Sequence, residues 1–121
     1  MIMYKLKVEA YFSAAHNLRG YKGKCEELHG HNWKVEMAVA SANLDKIGMV
    51  ADFKKLKGAL NSVLDKLDHK YLNDLSVFKK VNPTSENIAK YIYGQLRHKL
   101  PNLKLVTVWE SENSSVTYDE E

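Results

Sequence analysis

The sequence predicts an α+β fold: four antiparallel strands in one sheet, with two helices packed on one of its faces. Three observations carry this. Apolar residues alternate with polar ones near both ends of the chain, the period of a half-buried strand. Two central stretches instead repeat apolar residues at three- and four-residue steps, the period of an amphipathic helix. The resulting order is strand, strand, helix, helix, strand, strand, which segregates the helices to one side of the sheet.

Residues 3–12 place Tyr4, Leu6, Val8, Ala10 and Phe12 on one face and Lys5, Lys7, Glu9 and Tyr11 on the other. Residues 16–30 carry Gly20, Gly23 and Gly30 between charged side chains and read as a long exposed connection. The second strand, residues 31–41, aligns Trp33, Val35, Met37 and Val39, with His31 in phase at its start. Asp52 is placed to cap the first helix, whose stripe is Phe53, Leu56, Leu60, Val63, Leu64 and Leu67, ending near Asp68-His69. Thr84 or Ser85 opens the second helix, Ile88, Ala89, Ile92, Tyr93 and Leu96 form its buried stripe, and Pro101 stops it. Residues 103–110 make a third strand with Val106, Val108 and Glu110 in phase, and residues 115–118 a short fourth. Such a sheet leaves two edges to cover, so assembly through the edges is expected.

A chain of 121 residues suits one domain spanning residues 1–121. The net charge of +3 is mild and the lysines are scattered, which argues against a nucleic-acid partner. No apolar run is long enough for a membrane span, and the first residues lack the apolar block of a signal peptide. The single cysteine excludes an internal disulfide and suits a reducing compartment, so a cytoplasmic location is expected.

The chemistry concentrates in Cys25-Glu-Glu-Leu-His29-Gly-His31-Asn-Trp33. Two histidines two apart on a strand present both imidazoles to one face. A connection folding back would add His16, and three imidazoles suit tetrahedral zinc with an open position. Cys25 has three readings: a fourth ligand of a closed site, a reactive thiol, or an inert cysteine. Its polar neighbours argue against the last. Asp68-His69 is either an ordinary helix end or an acid–histidine pair, and a direct bond between them requires non-helical geometry. Glu110, an acid on an apolar phase, is either turned to solvent or placed to accept two parallel N–H bonds from a guanidine-like edge. Thr84-Ser85-Glu86-Asn87 reads as a helix cap and nothing more, and His98 has no evident partner.

Six stretches together resemble the 6-pyruvoyltetrahydropterin synthase family: Phe12-Ser-Ala-Ala-His16, Cys25-x-x-x-His29-Gly-His31, Asp52-Phe53-x-x-Leu56-Lys57, Leu67-Asp-His-x-Tyr-Leu-Asn73, Asn82-Pro-Thr-Ser-Glu-Asn87 and Trp109-Glu110. The three residues between Cys25 and His29 resemble the branch that forms 6-carboxytetrahydropterin in queuosine biosynthesis. The stretch from Ser111 to Tyr118 is the least typical. The resemblance implies a tunnelling fold whose sheets join into a barrel by oligomerisation, usually a hexamer of two trimers. It implies Zn2+ on His16, His29 and His31, Cys25 as the catalytic thiol, and Asp68 with His69 as a proton relay supplied by a neighbouring subunit. Glu110 would anchor the pterin ring, and Lys24 and Arg19 would meet a triphosphate. The implied reaction converts 7,8-dihydroneopterin triphosphate to 6-carboxy-5,6,7,8-tetrahydropterin, releasing acetaldehyde and triphosphate. Pyruvoyl formation from the same substrate is the alternative within the family. A non-catalytic zinc protein with a closed site of Cys25, His16, His29 and His31 is the alternative from another class.

Overall fold

A computed structural model describes residues 2–120, so the expected span of 1–121 reaches two terminal residues, Met1 and Glu121, that lie outside the described ones. The elements are β1 (Tyr4–His16), β2 (His29–Ser41), α1 (Phe53–Leu64), β3 (Lys70–Tyr71), α2 (Ser85–Arg97), β4 (Leu103–Ser111) and β5 (Ser114–Asp119). They form one sheet in the order β3-β1-β2-β4-β5. The four antiparallel strands are those the alternation predicts, and β3 is a two-residue addition parallel to β1. It is too short to have a period, and its pairing is set by the residues before it: the Ser13 N–H donates to Asp68 Oδ1 at 2.8 Å and the His69 N–H donates to the Ser13 carbonyl at 2.6 Å.

Both helices lie on one face, α1 over β1 and α2 over β4 and β5, in contact with each other. Phe12, Trp33, Val35, Met37, Val106 and Val108 from the strands meet Leu56, Leu60, Leu64, Ile88, Ile92 and Leu96 from the helices in a contiguous core. Asp52 caps α1 by accepting the Lys54 N–H, and Thr84 caps α2 by accepting the Asn87 N–H. The opposite face of the sheet is polar, with Lys34 between Glu9 and Glu36 at 3.7 and 3.6 Å.

Two boundaries differ from the sequence reading in ways that matter for the site. The first strand does not stop at residue 12: it runs to His16, and the ladder with β2 closes on the pair His16–His29. The connection is therefore residues 17–28 with one 3₁₀ turn, Lys24–Glu26, rather than 16–30. The α1 helix ends at Leu64, not at Asp68-His69. Successive turns, Lys66 N–H to Val63 and Leu67 N–H to Leu64, tighten the chain until it reverses at His69, whose φ of 58° is left-handed. Among the described residues no helix is long and apolar enough to cross a membrane.

Candidate metal centre and its surroundings

Register brings the three histidines together. Even-numbered residues of β1 and odd-numbered residues of β2 face the core, so His16, His29 and His31 continue the rows that contain Phe12 and Trp33. His16 lies opposite His29, and Ala14 lies opposite His31. The imidazoles touch edge to face, with ring centroids 4.5 Å apart for His16–His29, 5.2 Å for His16–His31 and 4.9 Å for His29–His31. Trp33 forms the floor, its ring 5.0 Å from both His16 and His31 and stacked in turn on Phe12.

Backbone carbonyls set the tautomers of two rings. His16 Nδ1 bonds the Pro83 carbonyl at 2.7 Å and His29 Nδ1 bonds the Glu27 carbonyl at 2.8 Å. A carbonyl only accepts, so each Nδ1 carries a proton, and in the neutral ring the lone pair is then on Nε2. Burial lowers the pKa of His16, with the neighbouring imidazoles acting the same way against the Pro83 carbonyl and Glu110. Burial also lowers that of His31, against the opposing pull of Glu110. Both rings are thus biased toward the neutral form that binds metals.

Glu110 extends from β4 into the same cluster. Its Oε1 lies 3.0 Å from His31 Nε2 and 3.9 Å from His16 Nε2, while Ser85 Oγ donates to Oε2 at 3.0 Å. The Nε2 atoms of His16 and His31 are nevertheless buried without a hydrogen-bond partner, because the close approach to Glu110 lacks hydrogen-bond geometry. Two buried ring nitrogens without partners beside a carboxylate are costly for a protein alone and suited to a cation. One donor atom each from His16, His29, His31 and Glu110 falls within 4.8 Å of all the others, so this group could bind a metal ion. The three histidines that spacing suggests as ligands are together here, joined by an acid that the sequence reading reserves for another task.

Cys25 stands outside that donor group and lines the adjoining recess of about 330 Å³ with Lys24, Glu27, Leu28, His29, His31 and Glu110. It is a free, partly exposed thiol. Asp68 and His69 do form a direct bond, Oδ2 to Nδ1 at 2.9 Å, and the left-handed turn at His69 supplies the non-helical geometry this requires. The Ser13 N–H, and then His69, hold the Asp68 carboxyl below its usual pKa. The His69 side chain is 82% exposed and borders a shallow recess shared with His31, Lys70 and Tyr71.

Two readings change. Arg19 does not reach toward a ligand: its Nε donates to Asn82 Oδ1 and its Nη2 to the Phe78 and Val81 carbonyls, which anchors a loop. The 84–87 stretch is more than a cap, because Ser85 also holds Glu110. Serine at the first helical position gives no sequence signal for that contact.

The fold and the histidine centre define a class: a small α+β protein with a candidate metal site at the end of its central hairpin. Its described fold matches the Caenorhabditis elegans 6-pyruvoyl tetrahydropterin synthase structure with a TM-score of 0.89 and 32% identity, covering 100% of this chain and 98% of that one. A protein of Synechocystis sp. named 6-carboxy-5,6,7,8-tetrahydropterin synthase is 41% identical over 97% of this chain and 92% of its own. A Pyrococcus furiosus protein named dihydroneopterin monophosphate aldolase is 39% identical over 88% of this chain and 90% of its own. The profile of the family described as 6-pyruvoyl tetrahydropterin synthase matches residues 5–121. The chain belongs to that family.

Proposed function

We propose that this protein is a zinc-dependent 6-carboxytetrahydropterin synthase, a lyase converting 7,8-dihydroneopterin triphosphate and water to 6-carboxy-5,6,7,8-tetrahydropterin with release of acetaldehyde and triphosphate. The observation that carries the reading is the three-histidine cluster with two orphaned Nε2 atoms, open on one side toward a free thiol. His16, His29 and His31 hold the ion, and three imidazoles suit zinc with a position left for substrate. When bound, zinc supplies Lewis-acid polarisation of side-chain hydroxyls.

The chain's own residues do the rest. Cys25, in the recess beside the ligands, takes a proton from the substrate side chain. Asp68 fixes the proton of His69 on Nδ1, leaving Nε2 to give or accept one. Glu110, steadied by Ser85, receives the N–H edge of the pterin and orients its side chain toward the ligands. His69 is too exposed in one chain to work sheltered from water, which favours a relay used across a subunit contact. The assembly we propose is a homo-oligomer, a hexamer of two trimers, acting in the cytoplasm on the route to queuosine.

Incubation with dihydroneopterin triphosphate, with and without chelator, tests the reaction by product identification. Metal-dependent 6-carboxytetrahydropterin and acetaldehyde are expected; a pyruvoyl product without acetaldehyde would refute the carboxy-forming reading. Cys25→Ala separates the rival closed site: we expect retained zinc with turnover reduced at least 100-fold. Loss of zinc with the thiol would support the non-catalytic reading.

A further inference from the structure

Beyond the strand pairing of β1, the backbone of residues 17 and 19 finds side-chain substitutes for a neighbouring strand. Asn73 Oδ1 accepts the Asn17 N–H at 3.0 Å and its Nδ2 donates to the Asn17 carbonyl at 2.9 Å. Two residues on, Asn82 does the same for Arg19: Oδ1 accepts the N–H at 2.9 Å and Nδ2 donates to the carbonyl at 2.9 Å. A side-chain amide carries a donor and an acceptor like a peptide group, so each asparagine imitates one rung of a ladder. Leu18, between them, points its N–H the opposite way and donates to the Cys25 carbonyl at 2.7 Å. The amide rungs on one side thereby fix where the thiol's backbone lies on the other.

The two asparagines are not equivalent. Asn82 also accepts the Arg19 Nε at 3.2 Å, and its own carbonyl accepts the Asn87 Nδ2 at 2.9 Å. The next residue, Pro83, supplies the carbonyl that binds His16 Nδ1. Asn73 is buried at 6% exposure and has no such link to a histidine in the described contacts.

We propose that Asn82 is a positioning residue that holds two parts of the site at once: the root of the Cys25 loop through Arg19, and the orientation of the His16 ring through the Pro83 carbonyl on Nδ1. Asn73 is a second clamp on the loop alone. The inference rests on the metal and thiol roles proposed above, and two independent readouts keep it separable from them. Tryptic cleavage after Lys22 and Lys24 measures the loop, and competition with a chromophoric chelator measures the zinc Kd.

Asn82→Ala is expected to raise loop cleavage at least fivefold and to weaken zinc about tenfold, as second-layer partners of metal-binding histidines do. Asn73→Ala is expected to raise cleavage similarly while leaving the zinc Kd within twofold. If Asn82→Ala fails to fold, the isosteric Asn82→Asp, which keeps the Oδ1 acceptor and loses the Nδ2 donor, is expected to give intermediate values of both. Turnover in Asn82→Ala should fall in kcat more than in KM, because the reacting groups and not the substrate contacts are displaced. Equal zinc affinity in Asn82→Ala and wild type, or unchanged cleavage, overturns the dual role. Wild-type protein that binds no zinc would defeat the metal reading itself, and cleavage would still decide the loop clamp.

Discussion

Truncating His16 to alanine should cost little in metal-free protein and much more when zinc is present. Three changes compete in the metal-free chain. Losing the bond to the Pro83 carbonyl costs about 1 kcal/mol. Removing a ring that is 1% exposed leaves a cavity. Its cost is about 3 kcal/mol, the low end for aromatic truncations because imidazole is small and polar. Deleting Nε2, a buried nitrogen with no partner, returns about 2 kcal/mol. The net is about 2 kcal/mol. With zinc, one of three histidine ligands is lost as well. Sharing the low end of zinc-site binding free energies, about 10 kcal/mol, among three ligands assigns roughly 3 kcal/mol to each, which raises the cost to about 5 kcal/mol. For a chain of this length 1 kcal/mol moves the melting midpoint by about 4 °C, so the drops should be about 8 °C in chelator and about 20 °C in zinc. Calorimetry at fixed protein concentration and fixed zinc excess, beside the same scans in chelator, measures both. Equal drops in the two conditions would show that His16 is a packing residue and that its orphaned nitrogen is not a ligand.

Metal-free protein should lose stability as the pH falls below about 6.5. His16 and His31 have depressed folded values, so the unfolded chain binds protons first and is favoured between 6.5 and those lower values. A urea midpoint that stays flat from pH 7.5 to 5 contradicts this. His69→Gly should melt above His69→Ala by an amount worth about 1 kcal/mol, since a φ of 58° penalises any Cβ, while neither variant restores turnover; the paired melting curves decide it. Ser85→Ala should leave Glu110 Oε2 without its donor and weaken zinc about tenfold in chelator competition if the carboxylate serves the ion. An unchanged zinc Kd with a raised KM would assign Glu110 to the pterin alone.

Much of this architecture was legible because the core rows are simple periods. Val8, Phe12, Trp33, Val35 and Met37 fall where alternation puts them, and both helix caps are side chains whose chemistry suits no other nearby task. The same period, carried two steps further through Ala14, would have placed His16 on β1. It was obscured because Ser13-Ala-Ala is small and weakly patterned. The pairing of Asp68 with His69 was conditional on a backbone turn that only tertiary contacts to Ser13 create. The place of Glu110 beside the three histidines could not be read at all. Its position depends on how β4 registers against β2, and that register, including its bulge beside Val39, is a property of two segments about seventy residues apart. The asparagine rungs were equally hidden, since Asn73 and Asn82 look like ordinary turn residues in sequence.

The two-residue strand β3 has a geometric effect larger than its size. It occupies the outer edge of β1 opposite Ala14 and Ala15. Toward its beginning, β1 still offers backbone groups along that side. Any strand joining β1 from another molecule would therefore have to end before the histidines. A sheet extended in this way would keep a notch beside each histidine cluster: the short strand would work as a doorstop, letting copies close on one another while each cluster stayed open to a small molecule.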